Sequence, residues 1–192
     1  SGTKAEFKYK MGANSSTDAD ANILSFKIDP QDSVGPGRGP EIISKDLTHF
    51  GTYSTRLKVP QAKEIQPNVG AVVGYFTYHE DDEEGLSEID FEWLIADPKI
   101  IYIGTWTGEH GKLQRIGRII NLAEGKIIET ISKVGYDGTP TRLTGMQNIP
   151  ESIPAIKNYD ASKQFYTYGF DWKSDRIRWW MLHPETAETV VL

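Results

Sequence analysis

Ser87-Glu88-Ile89-Asp90-Phe91-Glu92-Trp93 is the stretch on which the reading of this chain turns. Three acids alternate with apolar residues. Side chains of a β-strand alternate between its two faces, so Glu88, Asp90 and Glu92 are expected on one face and Ile89, Phe91 and Trp93 on the other. Neighbouring acids on that face lie roughly 6.5–7 Å apart at their Cα atoms. Carboxyls that lean together across one intervening residue pair approach about 5–5.5 Å, the separation that retaining glycoside hydrolysis uses. Two plainer readings stand beside this one. Alternating acids can simply be a solvated strand face. They can also offer oxygens to a hard cation such as calcium, although the Asn/Gly pattern of a dedicated calcium loop is missing.

Outward from this strand, the acidic run Glu80-Asp81-Asp82-Glu83-Glu84 reads as a solvated loop. Short β-rich runs separated by turn signals recur along the chain, without repeats or a long helical period, which argues for an all-β sandwich. The expected strands are 5–11, 23–28, 41–44, 51–58, 71–78, 88–94, 100–107, 117–121, 165–172 and 176–182. Val34-Gly35-Pro36-Gly37-Arg38-Gly39-Pro40 is a loop by its Gly and Pro punctuation. Residues 134–163 read as a long surface connection. Within it, Tyr159-Asp160-Ala161-Ser162-Lys163 is expected to hold one helical turn with Asp160 as its N-cap. No interdomain linker is visible, and residues 1–192 are expected to form a single domain.

Composition narrows the function classes. The net charge of -6 argues against a nucleic-acid partner, whose affinity comes from Lys and Arg on phosphates. No cysteine is present, so neither disulfides nor thiolate chemistry enter. No apolar run reaches the length of a membrane span. No signal peptide is visible, and Ser1-Gly2-Thr3 looks like a trimmed start. The pattern Asn14-Ser15-Ser16 matches a glycosylation acceptor, a short match that is usually accidental. The histidines at 49, 79, 110 and 183 have no metal-ligand spacing. Five Trp, nine Tyr and seven Phe exceed what a core alone usually requires, and aromatic faces also stack on sugars.

Glu88-Ile89-Asp90-Phe91-Glu92 resembles the active-site signature of glycoside hydrolase family 16, the lichenase, laminarinase and xyloglucan endotransglycosylase group. The resemblance extends to Phe50-Gly51-Thr52-Tyr53-Ser54-Thr55-Arg56-Leu57-Lys58-Val59 and to Ala71-Val72-Val73-Gly74-Tyr75-Phe76-Thr77-Tyr78. It continues through Phe165-Tyr166-Thr167-Tyr168-Gly169-Phe170-Asp171-Trp172 and Ile177-Arg178-Trp179-Trp180. It implies a concanavalin A-like β-jelly-roll of two bent antiparallel sheets, with the glycan cleft on the concave face. It implies a retaining, endo-acting β-glucanase that degrades polysaccharide by double displacement. Glu88 would be the nucleophile, Glu92 the general acid and base, and Asp90 the group that tunes the nucleophile. Glu41, Tyr75, Phe76, Tyr78, Trp106, Trp172 and Trp180 are the candidate substrate contacts.

The absence of an inserted residue between Asp90 and Glu92 resembles the lichenase and xyloglucan branches, and mixed-linkage β-1,3-1,4-glucan is the first expected substrate. A transglycosylase with the same residues and a non-catalytic glycan-binding module on the same fold are the alternatives. No cofactor or metal is expected beyond an optional structural calcium. The expected partner is a polysaccharide, the expected state a monomer, and the expected location secreted, periplasmic or cell-surface. Leu86 and Ile43 stand where the family usually has Trp and Arg. The family's pattern also runs on past Val190-Val191-Leu192 into a further strand, so the chain is expected to lack a C-terminal segment.

Overall fold

A computed structural model describes residues 8–11, 22–26, 40–61, 71–135, 138 and 149–192. Three sequence expectations lie outside them: the trimmed start, the acceptor pattern at Asn14, and all of the Gly/Pro loop except Pro40. The expected strands at 5–11, 23–28 and 71–78 are described only in part or from slightly different ends.

The chain divides into two compact units, Ser1–His49 and Phe50–Leu192. In the first, β1 (Lys8–Met11) pairs antiparallel with β2 (Asn22–Ser25). The expected strand at 41–44 does not form; residues 41–49 are exposed and without regular structure. Among the described residues no strand pairs with Ile42-Ile43, so their β propensity is not expressed as a strand.

The second unit is all-β, with no helix among the described residues. Its strands are β3 (Gly51–Leu57), β4 (Val72–Asp81), β5 (Gly85–Leu94), β6 (Ile100–Gly108), β7 (Gln114–Asn121), β8 (Lys126–Val134), β9 (Tyr166–Lys173), β10 (Arg176–Leu182) and β11 (Thr189–Val191). They form two antiparallel sheets, one of four strands in the order β11-β10-β9-β3 and one of five in the order β4-β5-β6-β7-β8. The five-stranded sheet is a meander of successive hairpins. The four-stranded sheet joins β3 to β9 across more than a hundred residues.

One apolar core lies between the inner faces of the two sheets. Phe91 and Trp93 of β5 stack at 5.6 Å between ring centres, and the Trp93 ring meets Tyr168 of β9 edge-on at 4.8 Å. The Tyr168 and Tyr159 hydroxyls, both buried, share a hydrogen bond of 2.7 Å. Burying polar tips beside large apolar rings is tolerable because each hydroxyl finds a partner.

Two stretches differ from their expected form. The acidic run is less of a loop than its composition suggests: Glu80 and Asp81 continue β4, and only residues 82–84 turn. The Asp81 carboxylate accepts the backbone N–H groups of Glu83 and Glu84 at 3.0 and 2.6 Å, and Gly85 closes the hairpin with φ of 79°. That φ suits glycine because it carries no Cβ. The described end of the 134–163 connection is not a surface segment. Ile153, Ile156, Tyr159 and Ala161 are buried in the core, and the backbone of Ile156 donates to Leu122 at 2.9 Å. The expected helical turn is a turn without helix; Asp160 still caps it, accepting both the N–H and the hydroxyl of Ser162 at 2.9 and 2.6 Å.

Candidate active site

β5 holds the acid triplet as its alternation requires. Ile89, Phe91 and Trp93 are buried in the core, while Glu88, Asp90 and Glu92 stand on the opposite, outer face of the five-stranded sheet. The antiparallel register sets their neighbours. Glu88 lies between Tyr78 of β4 and Trp106 of β6, Asp90 between Phe76 and Gly104, and Glu92 between Gly74 and Tyr102. Trp106, Gly104 and Tyr102 in turn face Arg115, Gly117 and Ile119 of β7.

Glycines shape the floor of this face. A Cβ on Gly104 would sit 2.6 Å from Cζ of Tyr102, and one on Gly117 2.7 Å from its Cε2. The Tyr102 ring therefore lies flat across this cross-strand glycine pair. Arg115 completes the arrangement. Its guanidinium lies 4.9 Å from the Tyr102 ring centre and 5.1 Å from that of Trp106, and its Nε donates to the Tyr102 hydroxyl at 3.4 Å. A groove of about 290 Å³ opens beside the triplet, lined by Leu86, Glu88, Glu92, Trp106 and Leu113.

The three carboxyls do not share one environment. Asp90 is the most enclosed, only 3% exposed. Burial first, and then the charges of Glu88 and Glu92, push it up to about 8; the hydrogen bond with Glu88 adds to the rise, and Arg115 opposes it. Burial also raises Glu88, while the hydrogen bond from Asp90 holds it down. Burial raises Glu92, with Arg115 opposing. Two carboxyls that share a hydrogen bond must hold a proton between them, and burial raises both Glu88 and Asp90. Near neutral pH the triplet thus holds a shared proton, and its titration belongs to the cluster.

The remaining candidate residues divide by strand parity. Phe76, Tyr78 and Trp106 lie on the acid face. Phe76 and Tyr78 are exposed, and the Tyr78 hydroxyl donates to Glu80 at 2.5 Å. Tyr75, Trp172 and Trp180 do not reach this face. Tyr75 pairs with Phe91, faces the core, and its ring lies 6.1 Å from that of Phe170. Trp172 also packs on the inner side, edge-on to Phe50 at 5.5 Å. Trp180 stands on the outer face of the other sheet, its ring over Gly169. Glu41 is exposed within the first unit. Tyr102 and Arg115 were not among the expected site residues. The signal that could have found them is the pair of glycines two residues after each: Gly104 follows Tyr102, and Gly117 follows Arg115, so both strands open the same face. Among the described residues, no group of three His, Cys, Asp or Glu is arranged to hold a metal ion.

The sequence model of glycosyl hydrolases family 16 matches residues 3–123, which include the whole triplet. The chain belongs to that family. The sandwich of two antiparallel sheets is the jelly-roll architecture expected of a family-16 chain. Among solved structures, this family-16 chain is similar to Bacillus licheniformis β-glucanase, with 21% identity and a TM-score of 0.43 over 77% of this chain and 48% of that one. It is also similar to a prokaryotic β-1,3-1,4-glucanase (lichenase) derived from a mouse hindgut metagenome, with 19% identity and a TM-score of 0.39 over 71% of this chain and 44% of that one. The chain thus spans less than half the length of these structures. Comparison with curated proteins gives no significant match.

Proposed function

We propose that this chain carries the catalytic centre of a retaining, endo-acting glycoside hydrolase that cleaves internal β-linkages of a β-glucan, mixed-linkage β-1,3-1,4-glucan first. The observation that carries the reading is the triplet itself: three carboxyls on one strand face, the middle one buried and hydrogen-bonded to the first. A solvated strand face has no use for a carboxyl enclosed in this way, because burial of an acid costs free energy unless function or a partner repays it.

In this reading a carboxylate oxygen of Glu88 attacks the anomeric carbon as the glycosidic C–O bond breaks. Glu92 gives its proton to the departing oxygen. The product is a glycosyl ester on Glu88. Glu92, now a carboxylate, takes a proton from water, whose oxygen attacks the same carbon and releases Glu88. Two inversions leave the β configuration. Asp90 stays neutral and donates to Glu88, which spreads the nucleophile's charge and keeps its reactive oxygen aimed. Trp106, Phe76 and Tyr78 offer faces for sugar rings along the groove. A monomeric protein acting on polysaccharide outside the cytoplasm is the setting this reading fits.

The deciding experiment follows a mixed-linkage glucan by proton NMR through the first minutes of reaction. Initial release of the β-anomer with a rapid fall in viscosity is expected. Initial α-anomer would refute the double displacement. Products longer than the parent fragments would assign the intermediate's fate to a sugar acceptor rather than water.

A further inference from the structure

Arg115 is a cation held against two aromatic rings on the acid face, and neither double displacement nor the fold requires it there. It stands on β7, one strand removed from the rings' partners. Its cross-strand neighbour on β6 is Trp106, which is itself the neighbour of Glu88. Its guanidinium also reaches the ring of Tyr102, the neighbour of Glu92. One side chain therefore touches both aromatic groups that flank the two outer acids. A guanidinium stacks on aromatic faces while its N–H groups remain free to point in the ring plane, which an ammonium cannot do.

We infer that Arg115 is a positioning residue for the acid triplet, fixing the Tyr102 and Trp106 rings beside Glu92 and Glu88 and bringing a positive charge to that face. The inference rests on the proposed hydrolase reading for its catalytic meaning. Two observations support it independently of that reading. The glycine pair Gly104–Gly117 leaves room for Tyr102 to lie flat, and the Arg115 Nε bond to the Tyr102 hydroxyl holds it there. Arg115 also opposes the burial that raises Glu92 and Asp90. The described groups that bear on Glu92 from each packed element are Asp90 and Glu88 on its own strand, Tyr102 on β6 and Arg115 on β7. β4 presents only Gly74 and Phe76 close by, with Tyr78 farther along. Lys133 of β8 faces Arg115 and lies 3.9 Å from Glu129.

The test compares the parent with Arg115→Gln, Arg115→Lys and Tyr102→Phe. The first readout is the titration of side-chain carboxyls by carbon NMR, which needs no turnover. In Arg115→Gln the Glu92 carboxyl should titrate at higher pH than in the parent. Arg115→Lys, which keeps charge but not the planar fork, should leave that titration close to the parent's. The second readout is the pH–rate profile on the substrate that the parent cleaves. A general acid must be protonated to act, so the alkaline limb of Arg115→Gln should move to higher pH. Arg115→Lys should keep the limb and lose turnover several-fold, as should Tyr102→Phe. An unmoved Glu92 titration in Arg115→Gln, with the protein folded by circular dichroism, would overturn the inference. A moved titration in a parent that cleaves no glucan would uphold the electrostatic coupling and remove the hydrolase reading instead.

Discussion

The indole Nε1 of Trp179 donates to the backbone carbonyl of Asp90 at 3.0 Å, and the two residues belong to opposite sheets. Main-chain atoms of a central strand are normally satisfied within their own sheet. This bond ties the middle acid's backbone to β10 through the core, so the acid strand is braced from behind as well as from its sides. A carbonyl can take the extra donor because it has two lone pairs.

Replacing Trp179 by Phe keeps an aromatic ring in the core and removes the donor. The loss of one part-buried hydrogen bond together with some buried area should destabilise the protein by about 1–2 kcal/mol. Thermal unfolding measures this. Turnover should fall as well, with KM nearly unchanged. A variant of parental Tm and parental kcat would mean that the brace carries no weight.

Glu88→Ala and Glu92→Ala should each lose most turnover, by about 10²–10⁴-fold for the acid/base residue. Both should fold, because these acids face the groove and contribute nothing to the core. Initial rates on mixed-linkage glucan, read beside circular dichroism, check both halves of the expectation. Near-parental rates in either variant would reassign the triplet to a non-catalytic face.

Asp90→Asn separates stability from activity. The native protein holds the Asp90 proton up to about 8, whereas the unfolded chain releases it in the ordinary carboxylate range. Between those limits the native state binds more protons than the unfolded state, so stability falls as pH rises through that window. Below the ordinary range both states are protonated and the penalty vanishes. Asparagine removes the penalty, so the variant should gain on the order of 1 kcal/mol at pH 7–8 relative to pH 4. Its rate should fall less than that of Glu88→Ala, and the acidic limb of its pH–rate profile should move. Denaturant melts at three pH values and a pH–rate profile supply the measurements. Parallel stability curves for parent and variant would contradict a buried, protonated Asp90.

Gly104→Ala should damage the groove floor. Its Cβ would meet the Tyr102 ring and lie 2.7 Å from the backbone oxygen of Ile116, and the backbone contact cannot be relieved by a rotamer change. Overpacking of this kind costs about 1–3 kcal/mol. A lower Tm with a raised KM is expected. Parental values for both would show that Tyr102 does not lie across the glycine pair.

The alternation at Glu88–Trp93 was legible because period-two patterning is a local property of a half-buried strand. The same property separates Tyr75 from Phe76 and Trp179 from Trp180, but it does not say which member faces the core and which the outer surface of its sheet. That depends on the register with β5 and β9, a non-local fact. β8 was missed because its apolar residues, Ile127, Ile128 and Ile131, do not alternate; the register with β7 shifts at Ile119/Ile120, and the bulge disrupts the pattern. β11 has only three residues, and its pairing with β10 follows a turn in which the backbone of His183 donates to Glu188. Arg115 escaped notice because the glycine two residues after it marks a shared face only once Gly117 is known to pair with Gly104. Its importance comes from two rings brought beside it by pairing with β6.

The order of pairing has a kinetic side. Every contact within the five-stranded sheet closes a short hairpin, whereas β3 meets β9 with Thr52 and Asp171 joined at 2.8 Å across 119 residues. Long closures carry an entropy cost that must be met before their contacts help, and chains rich in them fold slowly. The acid-bearing meander can therefore assemble while β9, β10 and β11 are still unpaired. In that interval Phe91 and Trp93 face solvent, and the Asp90 backbone waits for its indole. During synthesis the β9–β10 hairpin emerges after the meander, and its arrival controls when the acid strand becomes fully enclosed. A chain interrupted before Trp179 would carry all three acids and an open core behind them.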